Sequence, residues 1–286
     1  MPELPEVEVL VRHLAPVLRN RKIKNVEVRR ARVVLPHSPE QFSSRLRGAG
    51  FIEVSRRGKF LLFDLATGRK GEQLQLVGHL GMTGRMYLLP AKSVLPKHAA
   101  VVINLGAENF VFEDTRYFGR LTFDTDVIAR LGPEPLGGEF TVEGLSEALK
   151  RSSQPIKVKL LDQSIVAGIG NIYASEALFR ARISPRVAAR KLTAQQIARL
   201  WRAIRETLRD AIARGSTVPL NYSGEGERNG LFYFGRAPGA ADYYEERLQV
   251  YDRAGKPCVN CGSPIKRTVQ AARSTFYCPK CQRHLK

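Results

Sequence analysis

Leu131-Gly132-Pro133-Glu134-Pro135-Leu136-Gly137-Gly138 is the stretch at which the hydrophobic period of this chain changes, and its reading decides the fold. Five of its eight residues are Gly or Pro, which interrupt regular elements and set turns, so the segment reads as a linker over 132–140. Upstream of it, after an opening helix, polarity alternates or β-branched and aromatic residues cluster over 26–35, 51–65, 74–89, 99–105 and 110–123, mostly with Gly or Pro between them. That is the pattern of strands in a sandwich or barrel, and a β-sandwich with flanking helices is expected over 1–131. Downstream the period becomes helical over 142–151, 156–166, 172–180 and 194–213. In the last of these, Ile197, Leu200, Trp201, Ile204, Leu208 and Ile212 share one face. The chain is therefore expected to be α+β, with a helical domain over 141–247 and a short module bearing four cysteines over 248–286. Residues 215–246 are polar, aromatic and Gly-rich without a period. They are longer than an ordinary connection, which marks them as a functional loop in expectation.

With 286 residues, 43% of them hydrophobic, the chain is long enough for one large or two ordinary domains. No apolar run approaches the length that spans a bilayer. The opening Met1-Pro2-Glu3-Leu4-Pro5-Glu6 is acidic where a secretory signal is basic, so a cytosolic location is expected. The formal charge of +19 comes from 46 Lys and Arg against 27 Asp and Glu, and calls for a polyanionic partner. It is uneven: nine basic residues face two acids over 182–214, and 257–286 holds no acid at all. Charge alone does not separate DNA from RNA or from an anionic membrane.

Cys258-Val259-Asn260-Cys261 and Cys278-Pro279-Lys280-Cys281 are two Cys-x2-Cys knuckles with sixteen residues between them. This spacing suits four thiolates around one zinc ion, and a reducing compartment disfavours disulfides. Because all four positions are Cys, none is left open for catalysis and the ion is structural. Lys266, Arg267 and Arg273 lie between the knuckles, either as solvated charges on a hairpin or as a stiffened finger that sets a guanidinium against phosphate.

Pro2 becomes a secondary amine at the chain end once Met1 is removed. An α-amino group titrates near ~8 and lysine near ~10.4, so much more of it is neutral and nucleophilic at physiological pH. Attack on the anomeric carbon of a sugar would give an iminium, an electron sink that acidifies the adjacent carbon and lets phosphate depart. Glu3 and Glu6 stand beside it as proton donors or shuttles. The same Pro-Glu-Leu-Pro-Glu is also an ordinary helix start, with carboxylates favoured in the first turn.

The run Met1-Pro2-Glu3-Leu4-Pro5-Glu6-Val7-Glu8, the cysteine ribbon, and Gln163-Ser164-Ile165-Val166-Ala167-Gly168-Ile169-Gly170-Asn171-Ile172-Tyr173-Ala174-Ser175-Glu176 together resemble the formamidopyrimidine-DNA glycosylase family, whose relatives include the endonuclease VIII type enzymes. The resemblance spans nearly the whole chain. The third run resembles that family's helix-two-turn-helix: Gly168 and Gly170 allow a tight turn, and Asn171 is placed as the N-cap of a helix whose free amides suit a phosphate.

The resemblance implies a glycosylase and AP lyase for oxidised purines, namely 8-oxoguanine and formamidopyrimidines, acting by β,δ-elimination. It implies Pro2 as Schiff-base nucleophile and Glu3 as general acid. Lys59 is implied at the lesion phosphate and as proton donor in β-elimination, and Arg273 as the phosphate grip that assists δ-elimination. Lys157 is implied as a further phosphate-side lysine, His98 as a DNA contact, and Met82, Arg116 and Phe118 as the side chains that fill the gap left by an extruded base. Damaged double-stranded DNA in a basic cleft between the two domains, one structural zinc, no membrane and a monomeric state complete the expectation. The segment between 217 and 248 departs from the family pattern. Base preference stays open there towards oxidised pyrimidines, as in endonuclease VIII, and a non-catalytic zinc-ribbon DNA binder is the reading from another class.

Overall fold

The computed structural model describes residues 2–67, 72–214 and 248–283. The chain separates into two compact units, the first holding described residues up to Ala129 and the second those from Arg130 onward. Among the described residues no helix is long and apolar enough to cross a membrane.

The first unit is a sandwich of two four-stranded antiparallel sheets. It opens with helix α1 (Leu4–Leu18), followed by β1 (Asn25–Val28), helix α2 (Pro39–Leu46), β2 (Gly50–Arg57), β3 (Phe60–Ala66), β4 (Gln73–His79), β5 (Gly84–Pro90), β6 (Ala99–Asn104), β7 (Glu108–Asp114) and β8 (Arg120–Thr122), and ends in the short α3 (Asp126–Ala129). One sheet runs β1-β6-β7-β5 and the other β2-β3-β4-β8. Phe51 and Phe63 of the second sheet meet Phe110 of the first edge-on, with ring centroids 5.7 to 6.2 Å apart. Val7, Leu10, Leu14 and Leu18 of α1 close the same core, as do Phe42 and Leu46 of α2. The strand expected over 26–35 is only β1 followed by a 3-10 turn, Ala31–Val34. Helix α2 was not foreseen, although Ser38 and Gln41 cap it reciprocally.

The second unit is helical, with α4 (Val142–Leu149), α5 (Ile156–Leu160), α6 (Asn171–Arg180) and α7 (Ala194–Ala213), followed by the hairpin β9 (Lys266–Gln270) and β10 (Arg273–Tyr277). The segment read as a linker is bonded to these helices. Arg205 of α7 donates to the carbonyls of Pro135 and Gly137 at 3.0 and 2.8 Å, and the Trp201 indole donates to the Phe140 carbonyl at 2.7 Å. The helix expected over 156–166 stops at Leu160, because Asp162 turns the chain by accepting from both the amide and the hydroxyl of Ser164. Phe179 of α6 packs with Val250, Ile265, Phe276 and Cys278, which seats the cysteine hairpin on the helix.

Candidate active site and DNA interface

Pro2 and Glu3 are buried at the start of α1, Glu3 with only 1% of its surface exposed. The Glu3 amide donates to the Glu6 carboxylate at 2.9 Å, and the two residues form a capping box. The helix-start reading is realised as this capping box, which keeps both carboxylates at the end of the chain that carries Pro2. Lys59 lies on the turn between β2 and β3 and is also buried. Arg56 ties that turn to α1: it donates to Glu8 at 2.9 Å and to the Gly58 carbonyl at 3.3 Å. Burial pushes the Glu8 carboxyl up, but the hydrogen bonds from Arg56 and Arg12 outweigh it and hold the group below the usual carboxylate range.

His79, which sequence reasoning passed over, pairs with Phe60 in register and faces its ring at 4.9 Å. Burial, and then the cations of Lys59 and Arg120, depress its imidazole to about 4. Its Nδ1 accepts the Gly81 amide at 3.1 Å, which requires the neutral ring.

Two loops cross between the sheets at this end. Residues 80–83 join β4 of one sheet to β5 of the other, and 115–119 join β7 back to β8. Each carries a large exposed apolar side chain, Met82 at 40% and Phe118 at 43%. The exposed Arg116 holds its guanidinium 4.8 Å from the centre of the Phe118 ring. His98 is half-buried beside them, its Nδ1 3.2 Å from the Tyr117 hydroxyl, while Arg30 lies over the Tyr117 ring at 5.2 Å.

In the second unit Lys157, expected on the phosphate side of the DNA, is buried. Its side chain is 0% exposed, and Nζ donates to Asn171 Oδ1 at 2.6 Å, to Thr275 Oγ1 at 2.7 Å and to the Ser274 carbonyl at 2.9 Å. An ammonium has three protons and these contacts use them, so Lys157 joins α5, α6 and β10 from within. Asn171 is not the N-cap. Gly170 holds that position, and the Asn171 Nδ2 donates to the Ser274 carbonyl at 3.0 Å. Arg273, at the start of β10, remains exposed beyond the two-residue turn Ala271-Ala272, both of whose residues have positive φ. Glu176, a further residue the sequence did not single out, accepts the amides of Gln249, Val250 and Tyr251 at 2.8 to 2.9 Å. Burial pushes its carboxyl above the ordinary range, against those three amides, which favour the charged form.

The four cysteine sulfurs all lie within 4.8 Å of one another, with Cys258 to Cys281 at 3.9 Å and Cys261 to Cys278 at 3.5 Å. A tetrahedral zinc with bonds of about 2.3 Å to sulfur places its ligands about 3.8 Å apart, so the donor set fits one structural zinc ion. Burial and hydrogen bonds with the other three thiols push the Cys281 thiol up to about 12, a resistance to ionisation that a divalent ion offsets. Residues 215–247, on which the expected lesion-capping loop falls, lie outside the described residues.

Comparison with known proteins bears on the whole chain. Residues 1–121 match the formamidopyrimidine-DNA glycosylase N-terminal domain and 131–221 that protein's H2TH domain. Residues 255–283 match a zinc finger found in FPG and IleRS. Formamidopyrimidine-DNA glycosylase of Symbiobacterium thermophilum is 42% identical over 99% of this chain and 89% of its own length. That of Thermus thermophilus is 40% identical over 99% and 98%. The fold also superposes on Lactococcus lactis Fpg in complex with Fapy-dG DNA, with TM-score 0.85 and 32% identity, covering 99% of this chain and all of that one. A second Lactococcus lactis structure, bound non-covalently to DNA with an AP site, gives TM-score 0.84 and 31% identity at the same coverage. On these matches, which run from the first residues to the cysteine ribbon, the chain belongs to the formamidopyrimidine-DNA glycosylase family.

Proposed function

We infer that this protein is a base-excision-repair DNA glycosylase that removes oxidised purines from damaged duplex DNA and then cuts the strand, with Pro2 as its nucleophile. The observation that carries the reading is the burial of Pro2 beside the Glu3 and Glu6 carboxylates, at a helix start that Arg56 ties to the Lys59 turn.

With Met1 removed, the Pro2 nitrogen attacks C1′ of the damaged nucleotide as the glycosidic bond breaks, and Glu3 gives a proton to the departing base. Ring opening leaves an iminium between Pro2 and C1′. Its positive charge draws electrons from C2′, a proton leaves there, and the 3′ phosphate departs, with Lys59 supplying the proton that the leaving oxygen needs. A second elimination releases the 5′ phosphate, whose charge Arg273 meets with a planar fork. Water then hydrolyses the iminium and returns the amine. Met82, Arg116 and Phe118 occupy the space the base has left, since exposed apolar side chains at loop tips suit insertion between base steps. His98 and Asn171 contact the backbone, and Lys157 acts on it through Asn171 and β10. The reduced ribbon thiols suit a bacterial-type cytosol, where the protein acts as a monomer.

Borohydride added to enzyme and a duplex containing 8-oxoguanine should trap a covalent adduct on Pro2, and Pro2→Gly should abolish it. A sugar remnant found by mass spectrometry on a lysine would overturn the assignment. Lactococcus lactis Fpg has also been solved with DNA containing an oxidised pyrimidine. The same trap run over single-lesion duplexes therefore separates a purine from a pyrimidine preference. A protein that binds duplex with steep salt dependence yet never nicks an abasic site would instead be a non-catalytic binder.

A further inference from the structure

Asp114 ends β7 with its side chain 0% exposed. Its Oδ1 accepts the Thr83 hydroxyl at 2.5 Å and the Arg116 amide at 3.1 Å, and its Oδ2 accepts the Gly119 amide at 2.8 Å. All three donors are neutral groups, so the buried carboxylate is satisfied by loop backbone and one hydroxyl. Two of these bonds close the 115–119 loop on itself, and the third reaches across to the loop that carries Met82. The backbones touch as well. Gly81 has φ +63, and a Cβ there would lie 2.6 Å from the Gly119 nitrogen, so no other residue fits without displacing the neighbouring loop. Arg32 lies over the Phe118 ring at 5.8 Å.

We propose that Asp114 is a positioning residue that makes the Met82 and Phe118 tips one rigid body, so that both enter the DNA stack together at fixed spacing. The proposal rests on the wedge reading given above. Unstacking a base step is costly, and any side chain ordered only on insertion adds lost rotamer freedom to that cost. A wedge assembled beforehand avoids the second penalty. The Thr83 hydroxyl bond to Asp114 is the side-chain link between the two tips, which makes it the place to separate the coupling from the fold.

Thr83→Val removes that link alone, while Asp114→Asn keeps the volume but leaves one acceptor oxygen where two are used. Excision of 8-oxoguanine from a duplex is to be compared with cleavage of an abasic site in a single strand, where no base has to be displaced. Both variants should lose about tenfold or more in kcat/KM on the duplex, the effect of one charge-assisted hydrogen bond, and nothing on the single strand. The melting temperature of Thr83→Val should stay at that of the parent. An equal loss on both substrates, or no loss on the duplex, overturns the proposal. Met82→Ala and Phe118→Ala are measured alongside. If they leave the ratio of the two activities unchanged, the wedge itself fails and the clamp with it. If they shift the ratio and the Thr83 and Asp114 variants do not, the clamp alone fails.

Discussion

The 115–119 loop of the first unit and the 271–272 turn of the second both present an exposed residue, Phe118 and Arg273, and buried charges of opposite sign hold them. Asp114 gathers two amides and a hydroxyl under the first. Lys157 gathers a carbonyl, an amide oxygen and a hydroxyl under the second. An irregular loop leaves N–H groups unpaired and calls for an anion. Around Lys157 the groups turned inward are two side-chain oxygens and a strand carbonyl, and these call for a cation. In each case the charged group spends its bonding capacity inside its own unit, and the exposed neighbour is fixed as a result. The second tip needs one thing more, because a hairpin of two five-residue strands has little apolar surface to bury and relies on its metal.

Removing the zinc should therefore break the comparison most severely. Structural zinc in small modules contributes on the order of 10 kcal/mol. A chelator should unfold the ribbon, release Ser274 and Thr275 from Lys157, and lower DNA affinity by more than about 100-fold while the sandwich keeps its circular dichroism. Duplex binding that survives chelation would show that the second tip does not depend on the ion. Next in size is Lys157→Met, which retains length but leaves Asn171 Oδ1 and Thr275 Oγ1 without their donor. Urea unfolding should show a loss of about 3 to 5 kcal/mol, and a loss below about 1 kcal/mol would mean that Lys157 is not the keystone drawn above.

The smallest effect sharpens the contrast by pH. His79 supports only the first tip, through the Gly81 amide. Its folded imidazole stays neutral down to about 4, while an unfolded one charges near 6.5, so between those values the unfolded chain binds the extra proton. Stability from His79 is complete above pH 6.5 and falls as pH is lowered towards 4, by on the order of 3 kcal/mol. Thermal melts from pH 7 to 4 should show a shallower acid limb for His79→Gln than for the parent. Parallel limbs would remove His79 from the account.

Helix α7 was legible to its bounds. Its apolar stripe keeps the helical period for twenty residues, and Thr193 with Gln196 marks its start as a capping box. The cysteine spacing was equally plain, since ligand chemistry is written in residue type. The stretch 74–89 was legible as strand but not as two strands in different sheets. A change of sheet at Leu80-Gly81-Met82-Thr83 leaves no trace in the period, only in the glycine. Lys157 and Asn171 were found by resemblance, yet their geometry was not. A lysine on a helix looks solvated until the strand that meets it, more than a hundred residues later, is in place. Asp114 and Glu176 were hidden for the same reason, because partners distant in sequence decide whether a carboxylate is buried. The Asp114-Thr115-Arg116 turn did carry a faint local mark, an aspartate bonding the amide two residues on.

The three amides gathered by Glu176 have a consequence for where damage to this scaffold would be felt. They moor residues 249–251 to α6, the helix whose Phe179 also packs on Val250 and the cysteine ribbon. Shortening that one side chain would strand three amides at once, so its cost would fall on the seat of the ribbon before it reached the helix that carries it.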